Sequence, residues 1–293
     1  MPHSTKADGL LLIVTLLAAI SWMFSKEALG ELPPLLFISG RFFMAGALLA
    51  VVGYAALRRL TGKEIRTASA VGLLFGTAMC FWIMGLSTTS SLGEGAFITS
   101  LSVVLVPIVS WALFRETPTL TTWIALPTAI AGMALLALRD GFQPEASQWY
   151  FFVAALLLSL TFILNGRAAS HIPALALSAI QLTWVGLLAG IASLLLETWP
   201  TVISAAAWNW LLLSVLIGTA ARFLLQTYAQ GLTSPSHAAV IMILEPVWTA
   251  AIAALWFSER MSMQQWLGCT LILLALMINR WQAIRRMLRP VTL

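Results

Sequence analysis

Polar residues interrupt the apolar pattern of this chain only briefly, and the runs between them are of membrane length. A helix rising 1.5 Å per residue needs roughly 20 apolar residues to cross a hydrocarbon core about 30 Å thick. Ten runs meet that length, at about residues 8–29, 34–57, 68–88, 93–114, 120–138, 148–167, 174–196, 208–230, 236–257 and 263–282. The breakers between them are short: Pro33-Pro34, Thr117-Pro118, Asp140-Gly141, Pro173 and Pro200. The pattern predicts an all-α integral membrane protein of ten transmembrane helices with no room for a soluble domain. Lys6 followed by the apolar run from Gly9 to Phe24 mimics a signal peptide, but the run continues to about Leu29, and the internal repeat of the chain requires it as a helix.

That repeat is read from constant offsets. Phe114, Glu116 and Trp123 recur as Phe257, Glu259 and Trp266, each 143 residues later, and Gly76-Thr77-Ala78 recurs as Gly218-Thr219-Ala220, 142 residues later. Two five-helix halves follow, 8–140 and 148–283. Five is odd, so the second half enters the membrane from the opposite side, an inverted repeat of the kind found in secondary transporters.

Composition agrees: 60% of the 293 residues are hydrophobic, only 9% are charged, and the mean hydropathy is +0.93. A soluble domain carries about 25% charged residues. The net charge of +5 does not signal nucleic acid, because the basic residues are scattered over short loops and the C-terminal end. They give orientation instead. With both termini cytoplasmic, the inner side holds Lys6, Arg58, Arg59, Lys63, Arg66, Arg115, Arg167, Arg280, Arg285, Arg286 and Arg289, against Lys26, Arg139 and Arg260 outside. Cys80 and Cys269 each lie in an apolar run and support neither a disulfide framework nor a metal cluster. His3, His171 and His237 stand far apart, and no Walker A, His-Glu-x-x-His, Cys-x-x-Cys or Gly-x-Ser-x-Gly sequence occurs, so no enzyme, metal site or cofactor is expected.

Trp22 and Lys26 near the end of the first span, Arg41 followed by Phe42 and Phe43 in the second, and the Glu116 and Glu259 segments with their following tryptophans carry a resemblance over nearly the whole chain. The chain resembles the drug/metabolite transporter superfamily in its EamA-type ten-helix branch, and is most similar there to bacterial amino-acid and metabolite exporters, including those for aromatic amino acids. The resemblance implies a multi-pass transporter of the bacterial inner membrane that takes a small-molecule substrate. One departure stands out: the position matching Pro246 is Val103, with a proline displaced to Pro107.

The candidate site rests on intramembrane charge, which is costly unless it faces a partner or a cavity. Glu245, with Pro246 and Trp248, interrupts the ninth span, and Arg222 the eighth. Arg222 falls roughly 19 Å from the outer end of its span and Glu245 roughly 14 Å from the inner end of its own, so their depths agree to about 3–4 Å. They are expected either to neutralise each other or to line a cavity in which Arg222 takes a substrate carboxylate and Glu245 an ammonium group. Their first-half counterparts, Cys80 and Ser102, are uncharged, which concentrates polar recognition in the second half. Trp22, Trp82, Trp248, Ser102, Asn165 and Gln226 complete the expected substrate site, with Pro246, Pro107, Gly76 and Gly218 as expected hinge or gating positions. Trp123, Trp149, Trp199, Trp208, Trp210, Trp266 and Trp281 lie near span ends and are read as an interface belt. Lys26 and Arg167 are read as snorkelling anchors, Glu116 and Glu259 as ties for short connections, and Glu94 as a charge at a helix start.

The reading is a secondary transporter that works by alternating access and exports small amphipathic metabolites such as amino acids. Proton coupling through Glu245 and uncoupled diffusion are both open, as are monomer and homodimer. Efflux of cationic drugs is the rival substrate class. A non-transporting membrane scaffold or enzyme subunit is the rival of another kind.

Overall fold

The computed structural model describes residues 3–88, 92–138, 147–256 and 262–287, and every regular element among them is helical. In chain order these are α1 (His3–Ala28), α2 (Pro34–Val52), the single turn α3 (Tyr54–Leu57), α4 (Gly62–Thr88), α5 (Leu92–Phe114), α6 (Leu120–Ala137), α7 (Ser147–Ala169) and α8 (Ala174–Leu196). Then come α9 (Ala205–Leu213), a π-helix (Ser214–Ala221) and α10 (Arg222–Gln230) as one rod whose α-helical register is interrupted by the π-helix, followed by α11 (Pro235–Met242), α12 (Glu245–Trp256) and α13 (Met263–Met287). Eight stretches are long and apolar enough to cross a membrane, and two shorter apolar helices, Leu120–Leu135 and Met263–Asn279, stand where the fifth and tenth spans were expected.

Local chemistry sets the ends. Pro34 opens α2 at a position that needs no N–H, and the Glu197 carboxylate accepts from the Leu35 and Leu36 amides, at 2.8 and 2.9 Å. Ser204 caps α9, accepting from the Ala207 amide, so the eighth span begins at residue 205 rather than 208. A reciprocal Thr61–Glu64 cap starts α4 at Gly62, six residues before the apolar run. Gly53 separates α2 from α3, so the apolar run over 34–57 is two helices rather than one.

Apolar side chains cover the outside as well as the core. Leu195 and Leu255 are 77% and 84% exposed, whereas Thr219 and Thr227 are at most 1% exposed. In lipid this is the favourable sorting, because polar groups must find partners inside the protein. The helices approach closely at glycines: a Cβ at Gly186 would lie 2.5 Å from the Phe43 amide of α2, one at Gly72 2.9 Å from the Gln181 Cα of α8, and one at Gly132 2.8 Å from the Gly268 carbonyl of α13. The packing has an exchange pattern. α2 packs on α8 and α6 on α13; α7 packs on α4 and α5, and α1 packs likewise on the α9–α10 rod and on α11–α12.

Candidate functional site

The polar centre forms where α1, α2, the α9–α10 rod and the α11–α12 junction meet. On α1, Ser21 and Ser25 are one turn apart and face α2. Arg41 of α2 answers them: Nη2 donates to Ser21 Oγ at 2.7 Å and Nη1 to Ser25 Oγ at 2.8 Å. Its Nε donates to Thr219 Oγ1 at 2.5 Å, and Nη2 also donates to the Gly218 carbonyl at 3.0 Å. The last two acceptors lie in the π-helix, where backbone bonds shift to the i→i−5 register, and the Thr219 hydroxyl itself donates five residues back, to Ser214 O at 2.8 Å. Gly218 is small for a steric reason: a Cβ there would strike the Ser21 hydroxyl and lie 2.7 Å from Ser21 Cβ.

Arg222 is the first residue after the π-helix and Glu245 the first after a break at Ile243–Leu244. The break precedes the proline: Leu244 N–H reaches only three residues back, to Ile241 O, and Pro246 sits in the first turn of α12, where its missing N–H costs nothing. Glu245 therefore stands at the positive end of α12. Its Oε2 accepts from Arg222 Nη2 at 3.3 Å and its Oε1 from Trp22 Nε1 at 3.2 Å. Both distances exceed the roughly 2.7–2.9 Å of a tight charge-assisted bond, so the pair is loose. Arg222 also lies over the Phe223 ring, 4.8 Å from its centroid. Two polar atoms on this face of α10 are buried without partners: the Nε donor of Arg222 and, one turn on, the Oε1 acceptor of Gln226.

Of the residues expected from sequence, Arg222, Glu245 and Trp22 are brought into contact. Trp248 stands one turn beyond Glu245, half-exposed, and Gln226 one turn beyond Arg222. Trp82 packs instead against the apolar cluster of α2, α4 and α8. Ser102 is half-buried on α5 and makes no hydrogen bond to the pair. Asn165 belongs to a separate network: its Nδ2 donates to Gln230 Oε1 and, at 3.4 Å, to Thr227 Oγ1, while its Oδ1 accepts from Gln181 Nε2 at 2.8 Å. Those α10 partners lie five and eight residues past Arg222, about 8–12 Å along the axis. Pro107 is buried in an α5 that continues straight through it, unlike the broken α11–α12 span. Gly76 is a packing contact, its Cβ position 2.5 Å from Leu188 Cδ1 of α8. Sequence reasoning placed Thr219 on the Arg222 face but left Arg41, Ser21 and Ser25 outside the site. The available signal was Arg41 itself, an arginine as costly in an apolar run as Glu245.

A second ion pair closes the α5–α6 connection. Arg167 at the end of α7 donates from Nη2 to Glu116 Oε1 at 2.6 Å, the Ser110 hydroxyl donates to Glu116 Oε2 at 2.5 Å, and the guanidinium lies 3.7 Å from the Phe114 ring centroid. Partial burial pushes the Glu116 carboxyl up, but the Ser110 and Arg167 hydrogen bonds and the Arg167 charge outweigh it and hold it below its ordinary value. Arg167 is thus a tethered partner and not only a snorkelling anchor. Glu259, Arg260 and Arg139 lie outside the described residues, as do the side chains of Glu94 and Trp281. A cleft of about 400 Å³ lined by Arg59, Glu64, His171 and Pro173 lies at the loop end, away from this chemistry. Among the described residues no three His, Cys, Asp or Glu side chains cluster as metal ligands.

The comparisons with known proteins point one way. The chain is 27% identical over 275 residues to an uncharacterized transporter of Archaeoglobus fulgidus, covering 93% of this chain and 85% of that one. It is 25% identical over 210 residues to the uncharacterized transporter YvbV of Bacillus subtilis, covering 70% and 67%. A solved crystal structure superposes with a TM-score of 0.81 at 18% identity, over 97% of this chain and 99% of the other, which shows a shared fold. The profile of the EamA-like transporter family matches twice, over residues 5–138 and 146–281. The chain therefore belongs to the EamA-like transporter family of the drug/metabolite transporter superfamily, and it is a multi-pass membrane transporter rather than an enzyme.

Proposed function

We propose that this transporter exports small amphipathic metabolites, amino acids foremost and aromatic ones among them, across the bacterial inner membrane by alternating access. The observation that carries the reading is the loose Arg222–Glu245 pair, held at two interrupted helices with Trp22 on the carboxylate. A zwitterion separates such a pair productively: its carboxylate takes Arg222, its ammonium takes Glu245, and Trp22 and Trp248 offer ring faces to a side chain. The interrupted backbone at Ser214–Ala221 and at Ile243–Leu244 supplies the places where the walls bend. Two inverted halves, 8–140 and 148–283, with both termini cytoplasmic, would rock about this centre. The exchange pattern of helix packing and the two family matches support that division.

Reconstituted protein should accumulate or release labelled phenylalanine in vesicles, and Glu245→Gln should weaken that transport. The same vesicles under an imposed pH gradient separate a proton-coupled cycle, in which Glu245 is protonated in one state, from uncoupled diffusion. No flux of any amino acid in active protein would overturn the substrate class.

A further inference from the structure

The charge of the polar centre does not balance. Arg41 and Arg222 are both guanidiniums, and among the described residues Glu245 is the one carboxylate that contacts either of them. Arg41 meets only hydroxyls and one carbonyl, together with the Phe37 and Phe42 rings at 5.8 and 5.6 Å. It nevertheless lies close to the pair: its acceptors Gly218 and Thr219 stand one turn before Arg222, and its acceptor Ser21 is next to Trp22, which bonds Glu245. Lys26 and Glu27, the adjacent charges at the end of α1, are opposite in sign and together add no net charge there.

A surplus positive charge at this depth is costly unless something negative joins it. Arg41 already spends four hydrogen bonds, at least one from each of its three nitrogens, on protein oxygens, so its main contribution to a ligand at Arg222 is field. Arg222 does have capacity, because its Nε–H is buried without an acceptor while its single bond to Glu245 is long. The unfilled donor and the surplus charge coincide, and the unfilled acceptor one turn on, Gln226 Oε1, suits the ammonium of a zwitterion and not its carboxylate.

We infer that the central site selects ligands by a carboxylate, that Arg222 is the group receiving it, and that Arg41 is a positioning residue whose uncompensated charge sets this preference and rejects ligands carrying only an ammonium group. The inference rests on the transport reading above for the location of the site and narrows its substrate class: organic acids and amino acids enter, whereas lipophilic cations do not. A cation drug would add a second surplus charge where one already lacks a partner. Glu245 sees the ammonium of a zwitterion only after the carboxylate has loosened its hold on Arg222.

The test compares phenylacetate, phenethylammonium and phenylalanine as stabilisers of the purified full-length protein in detergent, read as thermal shift and as quenching of tryptophan fluorescence. Phenylacetate should bind at least about tenfold more tightly than phenethylammonium, the scale expected of one unit charge several ångströms away in a partly screened site. In Arg41→Gln that preference should fall several-fold, and Arg41→Lys should restore it. Equal or tighter binding of phenethylammonium, or no response to phenylacetate, overturns the inference on the unmodified protein, whether or not the variants fold. An unaltered preference in a folded Arg41→Gln overturns the role given to Arg41. Preference for phenylacetate without phenylalanine flux leaves the carboxylate selectivity standing and removes only the amino-acid assignment.

Discussion

Glu245→Gln keeps the size of the side chain and an acceptor for Trp22 but removes the charge facing Arg222. At the observed 3.3 Å, and with an effective dielectric of about 20, two unit charges attract by roughly 5 kcal/mol. That figure is a ceiling. The two side chains are 18% and 22% exposed, so solvent screens part of the attraction, and the distance is long for a charged hydrogen bond. A coupling of about 1.5–3 kcal/mol is expected after those reductions. The assay is a double-mutant cycle of Glu245→Gln, Arg222→Gln and the double variant, each unfolded in the same detergent and followed by circular dichroism. Each single variant strands one partly buried charge, whereas the double variant strands neither. The double variant should therefore be more stable than the sum of the single losses by the coupling energy. Additivity within about 0.5 kcal/mol would show that the two groups do not act as a pair, and the reasoning built on them would fail.

Four further outcomes follow from the same geometry. In Glu245→Gln, phenylalanine should bind more weakly because its ammonium loses a partner, while phenylacetate should bind more tightly because Arg222 is freed; isothermal titration reads both signs. Gly218→Ala should push Ser21 off Arg41 and reduce transport, with a stability loss of about 1–3 kcal/mol from overpacking at a contact already 2.7 Å from a Cβ. Glu197→Ala should destabilise α2 by about 1 kcal/mol in thermal unfolding, because two first-turn amides lose their acceptor. The Glu116 carboxyl is held below its ordinary value of 4.5, so its contribution to stability is present above about that pH and is lost as pH falls through the depressed value. Unfolding measured between pH 6 and pH 3 should show a slope that Glu116→Gln flattens.

The spans were legible because lipid imposes a simple rule on composition: each crossing needs about 20 apolar residues with its backbone bonded internally. Their ends were legible less well, since Glu197 caps α2 from a residue more than a hundred positions away and Gly53 ends it against Leu175. Arg222 and Glu245 stood out as costly charges on two neighbouring spans, and helical rise alone placed them at similar depth. Asn165 drew attention by the same polar logic, but its amide is used within a packing network, and nothing in its one-dimensional context separates the two uses.

What the order of residues established was the membrane, the family of apolar helices and the presence of intramembrane charges that needed an explanation. The packing established which groups answer them. α1 and α2 both pack on the π-helix, and the Gly218 carbonyl and Thr219 hydroxyl within it accept from Arg41. The break at Ile243–Leu244 likewise lies just before Pro246 and makes Glu245 the first residue of a helix rather than the middle of one. Pro246 announced an interruption of the ninth span, whereas periodicity gave no sign of the π-helix. The surplus charge at the centre is therefore visible only once α1, α2, α10 and α12 are assembled.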